Sequence, residues 1–114
     1  MHSEINNKPI IKFSGNAHLF FEELITTLFQ QGYFYFLESA IQYVVDMESY
    51  IKKYISVLPA HAAPRYFDRY KKEMKYITYQ PNRRTTWYVF FKRKENRFIV
   101  YHITNNHIEG QYIR

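Results

Sequence analysis

Thr85-Thr86-Trp87-Tyr88-Val89-Phe90-Phe91 and Phe98-Ile99-Val100-Tyr101-His102-Ile103-Thr104 are two aromatic and β-branched runs separated only by the polar residues 92–96. Such side chains suit a pleated surface, and a short polar interruption between two of these runs reads as an antiparallel hairpin. Asn105-Asn106-His107 follows. Because Asn tolerates positive φ, a second tight turn is expected here, with residues 108–113 returning as a last strand. Tyr76-Ile77-Thr78-Tyr79 is a further candidate strand. Trp87, Val89 and Phe91 alternate onto one strand face and belong in the core by the burial preference of large apolar residues.

Upstream the apolar period changes. Residues 9–13 are short, β-branched and begin at Pro9, which reads as a first strand at a sheet edge. From Ala17 the apolar residues fall at 17, 20, 21, 24 and 28, a helical spacing with Ser14 or Asn16 as N-cap and Gly32 as the stop. Leu37, Ala40, Ile41, Val44, Met47, Ile51, Tyr54 and Ile55 form the stripe of a second helix that Pro59 ends. A short Gly-containing connection makes the two helices antiparallel. Pro64 opens a third, shorter helix with Tyr66, Phe67, Tyr70 and Met74 on its apolar side, and the helical spacing of Arg65, Arg69 and Lys72 gives a cationic row on the other. Helices followed by strands argue an α+β domain: an N-terminal strand, two antiparallel helices and a short third helix packed on one face of a C-terminal antiparallel β-meander.

The 114 residues suffice for one modest core, so the expectation is a single domain over 1–114. Without cysteine there are no disulfides and no thiolate chemistry. No run approaches the roughly 20 apolar residues of a membrane span, and Met1-His2-Ser3-Glu4-Ile5 lacks the basic and apolar regions of a secretory signal, so a cytoplasmic protein with no membrane partner is expected. Charge is unevenly placed. Residues 1–60 carry four Lys/Arg against six Asp/Glu, whereas residues 61–114 carry twelve against four, so the whole net +6 arises in the second half. That asymmetry suits a polyanion or an acidic protein segment, although a charged face also serves simply to keep a domain soluble.

The last third resembles the RelE/ParE superfamily of plasmid-stabilisation toxins. Arg83 through Phe91 is similar to the family's second strand, residues 97–103 to its arginine-then-aliphatic-then-tyrosine strand, and residues 104–112 to its final turn and strand. The resemblance implies the toxin component of a type II toxin-antitoxin system, neutralised by an antitoxin protein, with DNA gyrase or the ribosome and its mRNA as target. For the ribonuclease branch it implies catalytic candidates Arg97, His102, His107 and Tyr112, with Arg97 one residue earlier than the family's strand arginine and Phe98 in the matching place.

Arg65, Arg69, Lys72, Arg83, Arg84, Lys92, Arg93 and Arg97 are the candidate contacts to nucleic acid or a partner, with Tyr88, Tyr101 and Tyr112 available to stack on bases. Charged hairpin ends also guard a sheet against edge aggregation, and His102 and His107 also read simply as a sheet-face and a turn histidine. Three glycines build no phosphate loop, the acids form no recognisable carboxylate pair, and His61, His102 and His107 match no metal-ligand spacing, so no cofactor or metal is expected. Two further functions fit the same scaffold: a non-enzymatic nucleic-acid or protein-interaction module, and a ribosome-dependent mRNA endoribonuclease.

Overall fold

The computed structural model describes residues 8–113. β1 (Ile10–Phe13) leads into α1 (Gly15–Gln30) and α2 (Leu37–Tyr54). After a two-residue β2 (His61–Ala62) and a 3-10 helix (Arg65–Arg69), the chain continues through β3 (Lys75–Tyr79), β4 (Trp87–Lys94) and β5 (Arg97–Asn105) to a terminal 3-10 turn (Gly110–Tyr112). Among the described residues the strands form one five-stranded mixed sheet in the order β1-β5-β4-β3-β2, and the class is α+β.

Local chemistry sets the helix ends. Ser14 caps α1, its hydroxyl accepting from Ala17 N at 3.1 Å, and Gly32 just past the C-terminus takes φ +79, which costs a residue without Cβ little. The N-cap of α2 is Phe36, whose side chain makes no capping hydrogen bond, and the helix ends with Lys52 and Lys53 near its exposed carbonyls. Ala17, Phe21, Val44, Met47, Ile51 and Ile55 from the helical layer meet Ile77, Trp87, Val89, Phe91, Phe98, Val100 and Ile103 from the sheet. Polar bonds tie the layers together: Trp87 Nε1 donates to Tyr43 Oη at 2.9 Å, and Tyr50 Oη to Thr78 O at 3.0 Å. The expected core side chains Trp87, Val89 and Phe91 are buried there.

The structure departs from the expected layout in several ways. First, residues 108–113 are not a strand. β1 lies parallel along the outer edge of β5, from Ile10 opposite Arg97 to Phe13 opposite Val100, so over that stretch the edge a returning strand would use is already taken. The antiparallel meander is β3-β4-β5, with the Tyr76–Tyr79 segment as its first member. Second, the turn at Asn105-Asn106-His107 uses no positive φ. Asn105 Oδ1 accepts from His107 N and Ile108 N at 2.9 and 3.0 Å, and the Asn105 carbonyl accepts from Glu109 N, so side-chain capping starts a helical turn instead. The β4–β5 hairpin is tighter than the five polar residues suggested, because Lys92, Arg93 and Lys94 stay paired and only Glu95 and Asn96 turn, Glu95 at φ 56.

Third, the third helix is a 3-10 helix ending at Arg69, and it packs on the opposite face of the sheet from α1 and α2. Its Phe67 stacks on Phe90, ring centroids 4.3 Å apart, and with Met74 forms a second small core. At three residues per turn Arg65 and Arg69 do not align, and Lys72 lies beyond the helix, so these cations are exposed without forming a helical row.

Candidate functional site

A one-residue irregularity in β5 builds the site. Phe91 pairs with Val100 and Phe90 with His102, leaving Tyr101 as the extra residue of a β-bulge. Phe98, Val100 and Ile103 all enter the helix-side core, while Tyr101 and His102 both turn to the other face. In strict alternation His102 would have shared the core side with Phe98 and Val100.

On that second face His102 meets residues of the 3-10 segment and of the chain end. Its ring lies against Tyr70, centroids 3.6 Å apart and planes 11° from parallel. Its Nε2 is 2.7 Å from Glu109 Oε1, and since an ionised carboxylate only accepts, Nε2 carries the proton. The other oxygen of Glu109 accepts from Tyr70 Oη at 2.6 Å and Tyr66 Oη at 3.1 Å. Glu109 is 7% exposed. Burial works against its charge, but hydrogen bonds led by those from Tyr70 and His102 outweigh burial and hold the carboxyl below its ordinary value. Burial, then the bond to Glu109, raises the Tyr70 phenol, which therefore stays protonated and donating.

Tyr66 stacks on Tyr112 at 3.7 Å and 3°, and the Arg69 guanidinium lies 3.7 Å from the same ring centroid. Two groups so close cannot share one face of a ring, so Arg69 and Tyr112 sandwich Tyr66. Arg69 Nε also donates to Tyr66 O at 3.0 Å, and Lys71 Nζ lies 5.0 Å from the Tyr101 ring centroid. The face is therefore a cation-flanked aromatic surface around one carboxylate–imidazole pair.

The helix side of the molecule carries a different feature. A groove of about 920 Å³ runs between α1, the α1–α2 connection and the loop before β4, with an apolar wall that includes Leu24, Leu28, Tyr33 and Phe34. Arg83, Arg84 and His107 stand along it, and among the described residues no Asp or Glu lines it. The arginine loop is fixed from both ends: Asn82 Oδ1 accepts from Arg84 N and Thr85 N, and Asn106 Nδ2 donates to Arg84 O. Beside the groove the α1–α2 connection exposes Tyr33, Tyr35 (97% exposed) and Phe36, and the start of α2 exposes Leu37.

The structure thus separates residues that the sequence grouped. His102 and Tyr112 join the carboxylate cluster, whereas His107 lies along the groove, its Nε2 3.4 Å from Thr85 Oγ1. Arg97 is exposed at the start of β5, beside the tight turn. Lys92 and Arg93 line a separate cleft with Lys75; Lys92 Nζ donates to Lys72 O, and Arg93 lies over Phe98. Glu109, Tyr66, Tyr70 and Thr104 were not singled out from the sequence as site residues, although Glu109 is the one acid after Glu95 and one of only four acids among the twelve Lys/Arg of residues 61–114. Among the described residues no group of three His, Cys, Asp or Glu is placed to hold a metal ion, and no helix is long and apolar enough to cross a membrane. No family model, no curated protein and no solved structure matches this chain.

Proposed function

We propose that this protein is the toxin component of a type II toxin-antitoxin system of the RelE/ParE kind, acting in the cytoplasm on a macromolecular target and neutralised by an acidic, amphipathic antitoxin segment. The observation that carries this reading is the groove: apolar along α1, cationic at Arg83 and Arg84, and continuous with aromatic side chains that a lone soluble domain gains nothing by exposing. An amphipathic segment would bury its apolar side against Leu24, Leu28 and Tyr33 and set its acids against the arginines. The apolar wall selects an acidic protein partner here over nucleic acid, since base and phosphate recognition has little use for an apolar trough.

A second reading, the ribosome-dependent endoribonuclease, draws on the other face. Tyr70, His102 and Glu109 are hydrogen-bonded together beside Arg69 and Lys71, which supplies a proton-transfer group and cations where a ribose-phosphate would lie. The two readings are compatible, one naming the neutralising surface and the other the activity.

Induced expression in a bacterial host tests the proposal. Growth should stop, and co-expression of a short acidic reading frame adjacent to the gene should restore it. Unimpaired growth on full expression of folded protein contradicts the toxin reading. Mapping mRNA ends after induction separates the targets: cleavage in the ribosomal A site supports the ribonuclease reading, and intact message with stalled replication supports gyrase.

A further inference from the structure

Glu109 is held as a ligand is held. Two phenol hydroxyls and an imidazole N–H converge on its carboxylate from the 3-10 segment and from β5, at 2.6 to 3.1 Å. Beside His102 on the same strand, the Thr104 hydroxyl is 1% exposed, faces that carboxylate and makes no hydrogen bond of ordinary geometry. Three donors share the two carboxylate oxygens, and Thr104, the fourth donor turned to them, is left short of a good bond. Arg69 and Lys71 stand next to the cluster on the Tyr66 and Tyr101 rings. Four donors around one oxyanion, with cations at the rim, suit a tetrahedral group with more oxygens and more charge.

The segment that delivers Glu109 is attached differently from the sheet it covers. Asn106 is pinned to the loop before β4, accepting from Thr86 N at 2.8 Å and donating to Arg84 O at 3.0 Å. Beyond it, the backbone N–H bonds of residues 107–113 run to Asn105, Glu109 and Gly110, within the turn itself. The strap meets the body through side chains: the Glu109 carboxylate, Tyr112 on Tyr66, Ile113 against the Phe67 cluster, and the long His107–Thr85 contact. Ile108 is 60% exposed and adds little. Such an attachment opens at lower cost than the strand ladder, with Asn105-Asn106 as its fixed end.

We propose that Tyr66, Tyr70, His102 and Thr104 form a phosphate-binding site that the chain's own Glu109 fills as an internal ligand, and that a phosphate oxyanion enters when the 107–113 strap lifts. Phosphate binding here does not depend on toxicity, so the site stands or falls separately from growth arrest. Because the internal carboxylate is tethered, it competes at an effective concentration in the millimolar range, and removing it should tighten phosphate binding about tenfold or more.

The test follows the His102 ring signals by NMR while inorganic phosphate is titrated at constant ionic strength, with chloride as control. Glu109→Ala should bind phosphate at His102 at least about tenfold more tightly than wild type, and adding His102→Gln or Tyr70→Phe should remove that gain. Glu109→Gln keeps the shape of the latch without its charge and serves if the alanine variant unfolds; it too should gain affinity. A short single-stranded RNA forms the second arm. RNA displacing inorganic phosphate at His102 assigns the site to nucleic-acid phosphodiesters, and phosphate binding without RNA competition assigns it to free phosphate or a phosphomonoester. Absence of any phosphate-dependent shift at His102 in folded Glu109→Gln and Glu109→Ala overturns the proposal.

Discussion

Tyr70 and His102 lie face to face, 3.6 Å between ring centroids, and both hydrogen-bond the carboxylate of Glu109. The pair joins three distant parts of the chain: the segment after the 3-10 helix, the bulged half of β5, and the strap beyond it. Its behaviour should be visible in solution.

Acid should weaken this junction in a defined window. Glu109 has a lowered folded-state pKa, so its contribution to stability is complete above the unfolded value near 4.5 and is lost as pH falls through the folded value. Melting temperature measured from neutral to acid pH should fall there more steeply for wild type than for Glu109→Gln, which has no proton to take up. Equal slopes would show that the carboxylate is not held as its geometry indicates.

Trp87→Ala should cost about 3 to 5 kcal/mol in urea unfolding, the scale of a buried aromatic replaced by a cavity, with the bond to Tyr43 lost as well. A value within experimental error of wild type would place the indole on a surface.

The cations of the 3-10 region should not be equivalent. Arg65→Glu and Lys72→Glu alter exposed side chains and should change stability by no more than about 0.5 kcal/mol. Arg69→Glu removes the guanidinium from the Tyr66 ring and its bond to Tyr66 O, and should cost roughly 1 kcal/mol more. Thermal unfolding of the three single variants distinguishes these outcomes.

Much of the fold could be read from residue patterns, and the failures have physical causes. Ser14, Gly32, the existence of the β4–β5 hairpin and most of the α2 stripe (Ala40, Val44, Met47, Ile51 and Ile55, though not the exposed Leu37 and Ile41) are set by local chemistry and came out as expected. Residues 108–113 misled because their composition suits a strand, whereas the edge of β5 is claimed by Ile10–Phe13, nearly ninety positions away. The position of His102 was hidden for a related reason. The apolar run Phe98–Ile103 contains a change of phase at Tyr101, and a bulge leaves no mark where residues on both sides of it are β-prone. Glu109 was not singled out, because its partners Tyr66 and Tyr70 arrive from about forty residues upstream.

Phe36→Asp should uncouple stability from function. Phe36 stands at the N-cap of α2 without a capping bond and is 68% exposed, so Asp should stabilise the fold by about 1 kcal/mol through the first-turn N–H groups. The same change puts a negative charge beside the groove and should weaken an acidic partner. Higher melting temperature with reduced growth rescue is the expected pair of results. Lower stability would mean that the exposed ring is packed in solution.

Binding kinetics of the purified chain with the proposed acidic partner, measured across a salt series, test the groove most directly. Raising salt, or replacing Arg83 and Arg84 by Glu, should slow association by about tenfold or more while dissociation changes little, because charge steers the encounter and apolar contact holds the complex. Tyr33→Glu, an exposed change in the apolar wall, should instead speed dissociation. If no acidic protein binds, and RNA or DNA binds with an affinity that falls steeply and log-linearly with salt, the groove is not an antitoxin seat and the protein is a nucleic-acid module.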